Sequence, residues 1–113
     1  MFTETYVALD TMSKHISQAP DEKNKWKYLS SSQLMWHDQN SQTILGYRYE
    51  KQKLFFLKGK RKNLIANNLE KLKFTVVVEN EKIKSVQCSV AFLCNKKRYT
   101  LDRVIRLKNG RVS

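Results

Sequence analysis

The stretch SVQCSVAFLC, residues 85–94, alternates apolar and polar side chains more cleanly than any other part of the chain. A period of two is the period of a β-strand, whose successive side chains point to opposite faces of a sheet. The apolar face consists of Val86, Cys88, Val90, Phe92 and Cys94, and the polar face contains Ser85, Gln87 and Ser89. This stretch therefore predicts a long strand with one face in a hydrophobic core.

Strand-like segments continue on both sides of this stretch. After the polar residues 95–97, a second alternating run places Tyr99, Leu101, Ile105 and Leu107 on one side, with Arg103 among them. Thr100, Asp102, Arg106 and Lys108 occupy the opposite side. Upstream, residues 74–78 (FTVVV) are rich in β-branched side chains and end at a polar turn, residues 79–81. The three segments together predict an antiparallel meander.

The middle of the chain predicts further short elements. Four segments read as strands: residues 25–29, 33–36, 44–49 and 54–57. The last two are joined by the polar residues 50–53, a predicted hairpin turn. Ile65, Leu69 and Leu72 follow the i, i+4, i+7 spacing of a helix, so residues 62–72 predict a short helix.

The first twenty residues fit two interpretations. Phe2, Tyr6, Leu9, Met12 and Ile16 form a nearly helical apolar stripe, but residues 5–9 would also serve as a strand. Pro20 should end whichever element forms. The chain as a whole predicts one domain, residues 1–113, of the α+β class. We expect a mostly antiparallel sheet of about seven short strands, curled toward a barrel or forming a pseudo-barrel, with one or two short helices.

Net charge is the strongest compositional signal, at +12 from 22 Lys and Arg against 10 Asp and Glu. The surplus is uneven, because residues 1–40 carry a net charge of −1 and residues 41–113 carry +13. Such an asymmetry points to nucleic acid or another anionic surface as the partner. A lysine-rich protein without a polyanionic partner is the plain alternative.

Three basic clusters account for much of this surplus: residues 58–62, residues 96–98 and residues 103–111. If the meander brings them together, they form a positive groove that follows a phosphate backbone and releases its counterions. Gly59 would let backbone amides approach a phosphate closely. The predicted phosphate-binding residues are Lys58, Lys60, Arg61, Lys62, Lys96, Lys97, Arg98, Arg103, Arg106, Lys108 and Arg111. Solvated turns whose lysines oppose edge-to-edge aggregation would show the same pattern.

Aromatic residues interleave with the bases, as in Trp26-Lys27-Tyr28, Tyr47-Arg48-Tyr49 and Arg98-Tyr99. Exposed rings stack on unpaired bases in proteins that bind single strands on a sheet. Tyr47 and Tyr49 share a face of their strand, so we expect both to be available for stacking or both to be buried. The alternative is strong, because a domain of this size needs large side chains in its core.

Other chemistry receives little support from the sequence. His37 beside Asp38 suggests a general base, but neighbouring strand residues point to opposite faces. No metal-ligand pattern, cofactor motif or catalytic constellation is evident, and Cys88 and Cys94 lie about 20 Å apart on one strand face, too far to pair. The chain also shows no signal peptide and no membrane-spanning apolar run, so we expect a cytoplasmic protein.

Length, the strands at residues 74–78 and 85–94, and the basic tail at residues 103–111 carry a family resemblance. The chain resembles the small basic β-rich proteins encoded on enterococcal-type conjugative plasmids, the PrgU-like group. The resemblance implies a PUA-like pseudo-barrel and a role in regulating conjugation surface-protein expression through RNA. PUA-like domains generally bind structured RNA beside the barrel. No functional residue is carried over from that group.

These observations predict a non-enzymatic RNA-binding module, regulatory in role, that holds the phosphate backbone. Double-helical DNA is less favoured, because no clear helix carries the basic residues into a major groove. Two alternatives stay open. One is a small toxin-type ribonuclease that uses Lys, Arg, Tyr or His without metal. The other is an interaction module that docks on an acidic protein partner.

Overall fold

The structure, a computed structural model, describes residues 2–38 and 43–107. Helix α1 spans Phe2–Ser17, and a 3-10 helix, Lys23–Lys25, precedes the first strand. The eight strands in this part of the chain are β1 (Trp26–Leu29), β2 (Gln33–His37), β3 (Ile44–Glu50), β4 (Lys53–Lys58), β5 (Arg61–Ala66), β6 (Leu69–Glu79), β7 (Lys82–Cys94) and β8 (Lys97–Arg106). The predicted α+β class is therefore confirmed.

The strands form two antiparallel meanders. The first sheet has five strands in the order β1-β2-β3-β4-β5, and the second has three in the order β6-β7-β8. The two sheets are not closed into a barrel, so the predicted pseudo-barrel is not observed. Backbone hydrogen bonds join them at two points, from Leu69 N to Gln52 O (3.0 Å) and from Phe74 N to Ser31 O (2.8 Å).

Strand β7 follows the alternation of its sequence. Val86, Cys88, Val90 and Phe92 are buried, while Gln87 and Ser89 are exposed. Residues of β7 pair with β6 on one side and with β8 on the other, which confirms the predicted three-strand meander. Both cysteines are free thiols, and burial raises the pKa of Cys88 to about 12.

The helix predicted at residues 62–72 is wrong, because this segment contains β5, a two-residue connection and the start of β6. A β-bulge between Leu69 and Lys71 shifts the register of β6 against β7. Leu69 and Leu72 are consequently both buried although they lie three residues apart. The bulge thus produced the spacing that the sequence pattern attributes to a helix.

Of the two interpretations of the N-terminus, the helix is correct. Ala8, Leu9, Met12 and Ile16 are buried on one face of α1, and the helix ends before Pro20. Helix α1 contacts β5 and β8, the last strands of the two sheets. Its apolar face joins a single cluster of buried side chains that also includes Trp36 and Tyr47 of the first sheet and Phe74 and Val86 of the second.

Three hairpins turn through two consecutive residues with positive φ, a signature of type I′ turns. These pairs are Lys51-Gln52, Asn80-Glu81 and Asn95-Lys96. Such turns match the right-handed twist of the strands they join, so they fix the register of each hairpin. The predicted turns at residues 50–53 and 79–81 are therefore confirmed.

Candidate nucleic-acid interface

An open groove of about 330 Å³ lies between the C-terminal half of α1 and the end of β8. Helix α1 contributes Ser13, Lys14 and Ser17, and β8 contributes residues 103–106. Its charged side chains are three cations: Lys14, Arg103 and Arg106. Because the groove is open to solvent and positively charged, its lining suits a phosphate group.

The three cations differ in their partners. Arg103 lies on the inward-facing side of β8, and its Nη1 is 3.0 Å from Asp10 Oδ1 of α1. Arg106 and Lys14 are exposed, and neither forms an ion pair with a residue in the described ranges 2–38 and 43–107. Two of the three charges are therefore free to meet an anion, and the third is shared with Asp10.

The serine hydroxyls of the groove are already used as donors. Ser13 Oγ donates to Leu9 O (2.8 Å) and Ser17 Oγ donates to Lys14 O (2.8 Å). Each oxygen retains lone pairs that can accept a hydrogen bond. A ribose 2′-hydroxyl is a donor of the required kind, whereas deoxyribose has no such group.

Strand β4 contacts the same half of α1 shortly before the β4–β5 turn. His15 packs on Phe56 with ring centroids 5.1 Å apart, and Lys58 follows two residues later, about 7 Å along the strand. Lys58, Lys60 and Arg61 are all exposed, with Lys58 directly opposite Arg61 in the hairpin. The cluster at residues 58–61 forms the β4–β5 turn and the cluster at residues 103–106 ends β8, and α1 contacts both β5 and β8.

Gly59 adopts φ +60, as expected of a glycine in a tight turn. Its N–H donates to Ile44 O at 2.8 Å. This amide is therefore engaged in holding the turn to β3, and the approach of a phosphate to the other backbone amides of the turn stays a prediction. Gly59 shapes the turn, and the neighbouring side chains carry its charge.

Lys62 lies on the outer face of the first sheet and is partly neutralised. Its Nζ is 2.8 Å from Glu50 Oε1 and 4.3 Å from the centroid of the Phe55 ring. Arg48 lies 3.6 Å from the same carboxylate oxygen. The hydrogen bond from Lys62 lowers the pKa of Glu50 below its usual value, with Arg48 contributing in the same direction.

The second predicted cluster, Lys96, Lys97 and Arg98, lies apart from residues 103–106. It occupies the β7–β8 turn, and Lys97 and Arg106 are separated by nine residues of β8, about 30 Å. Arg98 Nε also lies 3.1 Å from Glu70 Oε1. The fold therefore places residues 103–106 beside α1 and leaves this cluster at the opposite end of the second sheet. Lys108 and Arg111 lie outside the described residues.

Tyr47 and Tyr49 both point inward. Tyr47 is 0 % exposed, and its Oη lies 2.5 Å from His15 Nδ1. Tyr49 is half-buried and donates its hydroxyl hydrogen to Leu69 O at 2.6 Å. Burial raises the pKa of both phenols, with the Glu70 charge adding to the effect on Tyr49, and burial lowers the pKa of His15. Tyr47 is therefore unavailable for base stacking, and both rings serve the core.

The sequence prediction missed Ser13, Lys14 and Ser17. The sequence of the N-terminal segment fitted both a helix and a strand, so it was not evident that these three residues share a face. The i, i+4 spacing of Ser13 and Ser17 on a helix is the signal that would have placed them together.

None of the helices within residues 2–38 and 43–107 combines the length and the apolar character that crossing a lipid bilayer requires. In the same ranges, no three His, Cys, Asp or Glu side chains are grouped as a metal ion would need. Comparisons of the chain with protein-family models, with curated proteins and with solved structures found no match.

Proposed function

We propose that this protein binds RNA without cleaving it, holding the phosphate backbone at the α1–β8 groove and the adjacent β4–β5 turn. The observation that carries the proposal is the groove lining, in which Lys14 and Arg106 are unpaired among the described residues and lie beside Arg103. Cations arranged in this way bind phosphates and displace their counterions. The serine oxygens of the groove favour ribose over deoxyribose, because they can accept from a 2′-hydroxyl.

Helix α1 supports RNA over double-helical DNA for a second reason. A recognition helix presents a face of side chains to the major groove, whereas α1 buries Leu9, Met12 and Ile16 against the sheets. A regulatory role, a PUA-like relationship and a cytoplasmic location belong to the same proposal. The first two follow from the resemblance to the PrgU-like group, and the two free thiols suit the third, since thiols stay reduced in the cytoplasm.

The test is binding of a fluorescently labelled RNA, measured by anisotropy from about 50 to about 200 mM salt. We expect log affinity to fall linearly with log salt, and DNA of the same sequence to bind more weakly. A flat salt response, or no binding at low salt, would refute the proposal.

Two added measurements address the alternatives. Polyglutamate that displaces RNA at equal charge concentration would favour an acidic protein partner instead. Shortened RNA products, abolished by Arg103→Ala, would favour a ribonuclease. We expect intact RNA and poor competition by polyglutamate.

A further inference from the structure

The outer face of the five-stranded sheet carries aromatic and cationic side chains side by side. Leu34, Trp36 and Tyr47 are fully buried, so the alternate residues of β2 and β3 point outward. One cross-strand row on this outer face contains Gln33, Arg48, Phe55 and Leu64. The neighbouring row contains Tyr28, Met35, Gly46, Leu57 and Lys62. An antiparallel sheet more often presents a uniformly polar outer face to water.

Two rings are placed to meet a ligand on this face. Tyr28 is 47 % exposed, with Lys27 Nζ 5.9 Å from its ring centroid. Phe55 is half-buried directly opposite Arg48, under the ammonium group of Lys62. Tyr28 and Phe55 lie three strands apart, about 14 Å across the sheet, so one extended strand of nucleic acid can reach both.

We propose that this face binds the unpaired bases of single-stranded RNA, with Tyr28 and Phe55 as stacking rings and Arg48 and Lys62 as phosphate contacts. The inference rests on the proposed function and specifies its ligand as single-stranded. Lys62 connects the two surfaces, because it belongs both to the β4–β5 hairpin beside α1 and to the outer face. A base stacked on Phe55 takes the place of the Lys62 ammonium group, which then meets a phosphate.

Glu50 opposes this binding in the free protein. Its carboxylate holds Lys62 at 2.8 Å and Arg48 at 3.6 Å, and Lys62 thereby lies across the Phe55 ring. RNA phosphate must compete with Glu50 for both cations. Replacing Glu50 by an uncharged isostere therefore frees both cations and uncovers the ring.

The experiment compares two labelled oligomers of about 12 nucleotides, one RNA of mixed sequence and one with the same ribose-phosphate backbone but no bases. Wild-type protein should bind the RNA oligomer more tightly than the abasic one. Tyr28→Leu should weaken binding of the RNA by about 5- to 150-fold and leave the abasic oligomer unaffected. Tyr6→Leu, which changes another exposed tyrosine on α1, is the matched control and should change neither affinity.

A second variant keeps the inference testable without altering a ring. Glu50→Gln should tighten binding of the RNA oligomer more than Glu79→Gln, which changes net charge equally at an exposed carboxylate of β6. Equal binding of both oligomers, or an equal loss of both in Tyr28→Leu, would overturn this inference while the proposed function stands. Absence of salt-dependent binding to either oligomer overturns both.

Discussion

The α1–β8 groove makes a quantitative prediction about salt. Lys14 and Arg106 line it and form no ion pair within the described residues, whereas Arg103 is held by Asp10 at 3.0 Å. Replacing Lys14 and Arg106 by Ala removes the two cations that are free to neutralise phosphate. Both side chains are exposed, so their removal should leave the core and the free energy of unfolding nearly unchanged.

The size of the effect follows from counterion release. Each phosphate neutralised on a single strand contributes about −0.7 to the slope of log affinity against log salt. Loss of two such contacts should make the slope shallower by about 1.4. Raising salt from about 50 to about 200 mM lowers the affinity of each protein by some factor. That factor should be about sevenfold smaller for the double variant than for the wild type. At the low-salt end of this range, the double variant should bind RNA more weakly than the wild type.

The assay is an anisotropy titration of labelled RNA across that salt range, with urea unfolding as a check on stability. Lys71→Ala combined with Lys73→Ala is the matched control, because both lysines are exposed on β6 and lie outside the groove. The reasoning is refuted if the control flattens the salt response as much as the groove variant, or if the groove variant leaves the slope unchanged.

Three further outcomes are expected. Gly46→Ala should lower the free energy of unfolding in urea by about 3 kcal/mol, because a Cβ there would lie 2.2 Å from Leu34 O. At Gly59 an added Cβ would meet no atom nearer than 3.7 Å. Gly59→Ala should therefore lower the free energy of unfolding by only about 1–2 kcal/mol, the cost of a left-handed backbone conformation in alanine. Equal losses would contradict this. Burial lowers the pKa of His15, so the unfolded chain gains a proton first as pH falls below about 6.5. Stability should then drop towards acid pH, and His15→Gln should flatten that part of the profile. Lys60→Ala should weaken RNA binding more than Lys97→Ala, because Lys97 lies about 20 Å along β8 from Arg103, the nearest groove residue of that strand. The reverse order would place the interface at the β7–β8 turn.

The strands of the second sheet were predictable because each has one face in the core. Val86, Cys88, Val90 and Phe92 alternate with polar residues, so burial alone fixes their period. The segment at residues 62–72 was not predictable in this way. Its bulge places Leu69 and Leu72 on the same face, and a bulge is a feature of strand pairing that a local pattern does not contain.

Site prediction met a similar limit. The alternation in Tyr47-Arg48-Tyr49 separates two sets of side chains, but it does not say which set faces the core. That choice depends on Leu34 and Phe56, which lie opposite Tyr47 on the flanking strands and pack inward with it. The convergence of basic clusters is likewise a long-range property. Helix α1 contacts β5 and β8, the strands that contain Arg61 and residues 103–106, and no local feature of either cluster indicates this.

The exposed cations of the described residues differ in whether an acidic side chain neutralises them. At the far end of the second sheet, Arg98 is neutralised by Glu70 at 3.1 Å. Beside α1, the groove and the β4–β5 turn present Lys14, Lys58, Lys60, Arg61 and Arg106 with no acidic partner among the described residues. Lys71 and Lys73 on β6 and Lys96 and Lys97 at the β7–β8 turn also form no ion pair within the described residues, so unpaired charge alone does not locate the interface. The comparison of Lys60→Ala with Lys97→Ala locates it, because affinity for a phosphate backbone falls with each contacting cation that is removed.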